Sequence, residues 1–221
     1  ADIVTGVKFS NAGQICVAPN RIFVSDLVKK DFTDKVVSRA KAAKVGFDKN
    51  KEITTGPVID KRAFENIKML IDDAVTNGAK LLVGGDRPSY LTQGYYISPT
   101  VLSDVTETMQ VYLQETFGPI ISLITFSEET MLLKMANDCD EGGLTAYVFT
   151  SDQTRAEYYA SKLRYGEIQI NGVKYDIDLP HGGIGQSGIG HDCSSLALMD
   201  YLVQKRITSA KKTYKFERLN S

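Results

Sequence analysis

Residues 120–171 read IISLITFSEETMLLKMANDCDEGGLTAYVFTSDQTRAEYYASKLRYGEIQIN, and their rhythm decides the fold class. Ile120–Phe126 is a short apolar run rich in β-branched residues and reads as a strand. Residues 128–137 follow with helical periodicity, and Glu128 and Glu129 suit the positive end of a helix dipole. Residues 145–150 (TAYVFT) read as a strand, 154–165 as a helix stopped by Gly166, and 167–171 (EIQIN) as a strand. Strands alternating with helices of a few turns predict an α/β fold whose sheet is largely parallel and flanked by helices.

The flanking residues extend this pattern. Residues 21–24 (RIFV) predict a strand, and Phe32, Val36, Val37, Ala40 and Val45 line one side of a helix ending near Gly46. Residues 62–77 predict a second helix, with Phe64, Ile67, Leu70, Ile71, Ala74 and Val75 as its stripe and Gly78 as a left-handed cap. Lys80–Val83 (KLLV) predicts a strand closed by Gly84 and Gly85, and 93–101 an extended segment, since Pro99 cannot sit inside a helix. A glycine-rich loop at 182–190 precedes a predicted helix at about 195–203. The basic, alternating tail at 206–216 suits an exposed edge strand that pairs with another chain. No repeat or linker divides the chain, so residues 1–205 are expected to form one domain and 206–221 an oligomerisation strand and tail.

Charge and cysteine content narrow the function. Lys and Arg number 26 against 27 Asp and Glu, a net charge of −1, without the basic excess of a nucleic-acid-binding domain. No apolar run approaches the roughly 18 residues of a membrane span, and Ala1-Asp2-Ile3-Val4 does not begin a secretory signal. The three cysteines, Cys16, Cys139 and Cys193, are odd in number and far apart, which predicts free thiols in a reducing cytoplasm. Two histidines, His181 and His191, with no close ligand spacing, predict no metal centre.

The strongest local signal is Phe9-Ser10-Asn11-Ala12-Gly13-Gln14-Ile15-Cys16-Val17-Ala18-Pro19-Asn20. It sets a cysteine beside a glycine-containing turn just ahead of a strand, where backbone amides can stabilise an oxyanion next to sulfur. On these residues alone, a buried and inert thiol is the alternative. The segment resembles the active-site signature of the NAD(P)-dependent aldehyde dehydrogenase superfamily, an aromatic and an Asn followed by Gly-Gln-x-Cys. Gln114-Glu115-Thr116-Phe117-Gly118-Pro119 resembles that family's E-x-F-G-P motif. The run from Pro180-His181-Gly182-Gly183 to Ser187-Gly188-Ile189-Gly190 resembles its P-F-G-G-x-x-x-S-G-x-G motif. Gly56-Pro57 and Gly84-Gly85 also fall where the family has them.

The resemblance implies roles and a catalytic-domain fold of that family. Cys16 would attack an aldehyde carbon, its own N–H helping to hold the oxyanion, and a thioester would then be hydrolysed. Glu115 would accept hydrogen bonds from the nicotinamide ribose of NAD or NADP, and Phe117 would pack against the ring or ribose. His181 stands where the family has Phe, so it would line the aldehyde channel and offer a polar ring to a substrate hydroxyl or carboxylate. Lys174 is the candidate partner for a substrate carboxylate. The family's deacylating glutamate, its oxyanion asparagine and its coenzyme-binding half precede the nucleophile by more than the residues found here. The chain is therefore expected to be the C-terminal catalytic half, inactive alone, of an enzyme forming a dimer or tetramer. Semialdehyde, lactaldehyde and glyceraldehyde branches look closest, with succinate semialdehyde as the leading substrate. A non-catalytic assembly module and a stand-alone thiol hydrolase remain as alternatives. Gly183-Ile184-Gly185-Gln186-Ser187-Gly188 matches a dinucleotide fingerprint by spacing but lacks the preceding strand and the acidic residue. His191 and Cys193 are two apart and cannot face each other on a helix, and Cys139 is expected to be structural.

Overall fold

The computed structural model describes residues 1–47, 52–138 and 142–209. Its central sheet has the order β1-β4-β3-β2, from Arg21–Ser25 (β1), Lys80–Val83 (β2), Thr100–Ser103 (β3) and Ile120–Phe126 (β4). β4 runs parallel to both β1 and β3, and only β2 joins antiparallel. Two-stranded pairings complete the sheet structure. Gly142–Gly143 (β5) pairs antiparallel with Ile184–Gly185 (β8), and Thr145–Val148 (β6) pairs parallel with Glu167–Ile170 (β7).

β4 is buried on both faces because helices cover both. Ile120 and Ile124 join Leu102 in one core, against Ile67, Ile71 and Ala74 of α3 (Lys61–Thr76). Ile121 and Leu123 join Val101 in the other, against Val4 and Phe9 of α1 (Asp2–Phe9) and Val36 and Ala40 of α2 (Lys29–Ala42). The period-2 alternation of a strand thus builds two cores from one segment. α3 begins where the Asp60 carboxylate accepts from the Ala63 N–H at 2.7 Å. It ends in a Schellman motif, Gly78 N–H to Val75 at 3.1 Å and Ala79 N–H to Ala74 at 2.9 Å, with Gly78 at φ 104°. The shorter helices are α4 (Gln110–Leu113), α5 (Glu129–Asn137) and α6 (Gln153–Lys162).

Of the segment expected to be extended, β3 takes only the end, starting at Thr100. Two expectations need correction. The helix expected at 195–203 is a single 3-10 turn at Ala197–Tyr201, whose Leu198, Met199 and Tyr201 are exposed. A short helix gains most of its stability by packing an apolar face, and these side chains stay more than half exposed. Residues 206–209 show no strand, and the rest of the expected oligomerisation strand lies outside the described residues, as does Cys139. Among the described residues no helix is long and apolar enough to cross a membrane.

Candidate active site

Cys16 owes its position to α1, an element with no clear signal in the sequence. α1 runs into a 3-10 turn, Ser10–Gly13, where Asn11, Ala12 and Gly13 all take positive φ, at 48°, 55° and 73°. Asn tolerates this conformation and Gly prefers it; for Ala it is costly, and such strain gathers at functional sites. Two motif side chains lock the turn. Asn11 Nδ2 donates to the Gln14 carbonyl, and Gln14 Nε2 returns a bond to the Asn11 carbonyl, each at 3.0 Å. Gln14 Oε1 also accepts from the Ile59 N–H at 2.8 Å, which ties the turn to the loop after Gly56 and Pro57. A second turn, closed by Ala18 N–H to the Ile15 carbonyl at 2.9 Å, sets Cys16 at its corner. The thiol is exposed while Val17 and Ala18 are buried beneath it. The Cys16 N–H has no acceptor among the described residues.

The second motif meets the first through two glycines. An added Cβ on Gly13 would stand 2.2 Å from the Gly118 carbonyl oxygen, so the two backbones are in direct contact. On the loop before Gly118, Glu115 is exposed and Phe117 is 43% exposed, with φ at 36°. Thr116 between them is buried and bonds to Asn20, its N–H at 3.1 Å and its hydroxyl at 3.0 Å from Oδ1. A carboxylate with two acceptor oxygens and an open aromatic ring beside the Cys16 turn fit a ribose diol and a planar heterocycle.

The third motif arrives beside β6 and β7. Thr145 pairs in register with Glu167 and Tyr147 with Gln169, so these four share one sheet face. The Tyr147 hydroxyl lies 2.9 Å from the Val17 carbonyl, the residue after Cys16, and 3.2 Å from the Tyr175 hydroxyl. Burial, foremost, and the Tyr175 hydroxyl push the Tyr147 phenol well above its usual range, and it also feels the charges of Glu167 and Cys16. Glu167 accepts from the Thr145 hydroxyl at 3.0 Å and pairs through its other oxygen with Nδ1 of His181. His181 is held by an antiparallel bridge to Asp192. Gly166 allows the crossing, since a Cβ there would stand 1.8 Å from the Gly182 carbonyl oxygen.

Four predicted residues therefore fall in linked places. Cys16 sits at a turn corner, Glu115 and Phe117 on the loop packed against that turn, and His181 on the polar face that reaches Val17 through Tyr147. Lys174 is more remote. It is exposed, with its ammonium 3.5 Å from Asp176, in a turn braced by Gln169. Of the fingerprint-like glycines only Gly185 lies in β8, and no α-helix follows β8 among the described residues. Sequence reading missed Lys8, Tyr147 and Glu167. The TAYV and EIQI alternation was the available signal for the last two, because it sets Tyr147 and Glu167 on one face.

The chain matches the model of the aldehyde dehydrogenase family over residues 1–207. It is 36% identical over 205 residues to a chloroplastic betaine aldehyde dehydrogenase of Atriplex hortensis, covering 92% of this chain and 40% of that protein. It is 37% identical to an NADP-dependent succinate-semialdehyde dehydrogenase of Schizosaccharomyces pombe, covering 91% and 41%. The fold superimposes on a betaine aldehyde dehydrogenase of Staphylococcus aureus, solved in complex with NAD+, with a TM-score of 0.92 at 32% identity, over 100% of this chain and 44% of that one. The chain thus spans about two fifths of the length of the curated relatives it matches. By its three motifs, their packing and the matched span, it belongs to the aldehyde dehydrogenase family.

Proposed function

We propose that residues 1–205 form the catalytic domain of an NAD(P)-dependent aldehyde dehydrogenase, with Cys16 as nucleophile. The observation that carries this is the contact of Gly13 with Gly118, which packs the loop of Glu115 and Phe117 against the turn leading to the exposed Cys16 thiol. The Cys16 thiolate adds to the aldehyde carbon, forming a C–S bond and leaving an oxyanion for the unoccupied Cys16 N–H. The nicotinamide coenzyme supplies the hydride acceptor when bound. Glu115 would accept hydrogen bonds from its ribose hydroxyls and Phe117 would pack against its ring, so that these two side chains would hold the hydride acceptor. The resulting thioester is opened by water to give the acid and regenerate the Cys16 thiol.

Tyr147, Glu167, His181 and Tyr175 make a polar wall, which favours small aldehydes bearing a hydroxyl or carboxylate, such as succinate semialdehyde or lactaldehyde. Lys174 would have to exchange Asp176 for a substrate carboxylate. The free thiols Cys16 and Cys193 support a cytoplasmic setting. The exposed Leu202, Val203 and Ile207 support assembly into a dimer or tetramer.

Alkylation at neutral pH followed by peptide mapping tests the nucleophile. Cys16 should label faster than Cys193, and an aldehyde should protect Cys16 alone. Faster labelling of Cys193, or no protection, would remove Cys16 from the site.

A further inference from the structure

Lys8 is fully buried, at 0% exposure, in a chain whose other lysine side chains described here reach solvent or an ion pair. Its ammonium donates to the Thr116 hydroxyl at 3.0 Å and to Asn20 Oδ1 at 3.3 Å. Thr116, itself 1% exposed, donates to that same Asn20 oxygen through both its N–H and its hydroxyl. The three side chains form a closed triangle away from water. A buried ammonium is costly, and this one has no full ion pair, with only the charge of Glu115 acting on it. Met or Leu would fill the volume without that cost.

The triangle's place in the chain explains what the ammonium does. Lys8 ends the helix that leads into the Cys16 turn, and Asn20 closes the same segment just before β1. Both ends of the segment that presents Cys16 are therefore bonded to one residue, Thr116. Thr116 lies between Glu115 and Phe117, the two open side chains of the neighbouring loop. Gly13 on Gly118 sets how close the two backbones come. Contact between glycines leaves sliding and twisting free, and the triangle removes that freedom.

We infer that Lys8 is a positioning residue, whose buried amino group clamps both ends of the Cys16 segment to Thr116 and so fixes the thiol relative to Glu115 and Phe117. Its consequence for hydride transfer rests on the function proposed above; the clamp itself does not.

Hydrogen exchange and Cys16 alkylation on the 221-residue chain test the clamp without coenzyme. Lys8→Met should speed exchange at 14–17 and at 115–117 together, by about tenfold or more, the scale of one charge-assisted hydrogen bond. It should also change the Cys16 alkylation rate while leaving Cys193 and the α3 core amides as they were. Thr116→Val should do the same, Thr116→Ser should restore both, and the Lys8→Met/Thr116→Val pair should add nothing beyond either single change. If Lys8→Met fails to fold, the two Thr116 variants decide alone. Exchange that rises in one segment only, or no rescue by Thr116→Ser, overturns the clamp. The proposed function fails by a different result: a Glu115→Gln protein with unchanged hydride transfer, whatever the exchange shows.

Discussion

The carbonyl of Gly118 rests against the α-carbon of Gly13, 2.2 Å from where a side chain would begin. Gly13 also takes φ 73°, so both space and backbone conformation require glycine. Gly13→Ala should cost about 2 kcal/mol or more in denaturant unfolding, and Cys16 should lose its lead over Cys193 in alkylation. A variant with an unchanged midpoint would show that the two motifs do not touch.

Glu115 is exposed and bonded to none of the described side chains, and its charge is felt by buried Lys8 without a direct bond, so folding depends on it only weakly. In a dehydrogenase carrying this domain, Glu115→Gln should slow single-turnover hydride transfer by about tenfold or more with little change in melting temperature, because only ring orientation is lost. An equal loss of stability would assign Glu115 a folding role.

In the proposed function the His181 ring, paired with Glu167, would line the aldehyde channel. His181→Phe should lower kcat/KM for a hydroxy- or carboxy-aldehyde by about tenfold and raise it for an unsubstituted aldehyde of equal length, the exchange value of one hydrogen bond. Parallel changes for both substrates would place His181 outside the channel.

Arg21 grips the C-terminal end of α5. Its guanidinium donates to the carbonyls of Met135 at 3.0 Å, Ala136 at 3.1 Å and Asp138 at 3.2 Å, and lies 5.1 Å from the Tyr112 ring centre. A lysine cannot fork across three carbonyls. Arg21→Lys should therefore destabilise by about 2 kcal/mol or more, read as a lower denaturation midpoint with an unchanged slope.

Lys8 makes stability depend on pH in a set direction. Burial lowers its pKa to about 7 from 10.5, opposed in part by Glu115. Between those values the unfolded chain holds a proton that the folded chain has released, so stability rises with pH across that window and is flat below it. Lys8→Met should remove this rise. Plotting the difference between the two proteins' midpoints from about pH 6 to 10 isolates it from other titrating groups. Parallel curves would mean that Lys8 keeps an ordinary pKa in the fold.

Sequence pattern revealed what pattern alone dictates. Ile120–Phe126 read as a strand, and α3 carried its stripe and its terminal Gly78 in plain view. α1 was not legible, because DIVTGVKF contains β-branched residues and Gly6 and is held helical by packing Val4 and Phe9 into the core. The turn at Ala197–Tyr201 failed in the opposite sense, with a helical pattern but no surface to cover it. At the candidate site, the motifs pointed to Cys16, Glu115 and Phe117, whose turns the fold brings together through Gly13 and Gly118. The groups that connect them stayed hidden, because the Lys8 triangle and the Tyr147 wall join residues far apart in the chain.

The register of the central sheet sets a timetable for synthesis. Arg21 pairs with Ser122, 101 positions later in the chain (122 − 21). At about 5–20 residues per second, β1 waits roughly 5–20 s for its partner. During that interval Ile22 and Val24 lack the sheet neighbour that later covers them, and parallel pairing offers no local hairpin as a substitute. A nascent chain stalled after β3 and before β4 should therefore bind holdase chaperones, and release should follow once Phe126 has left the ribosome.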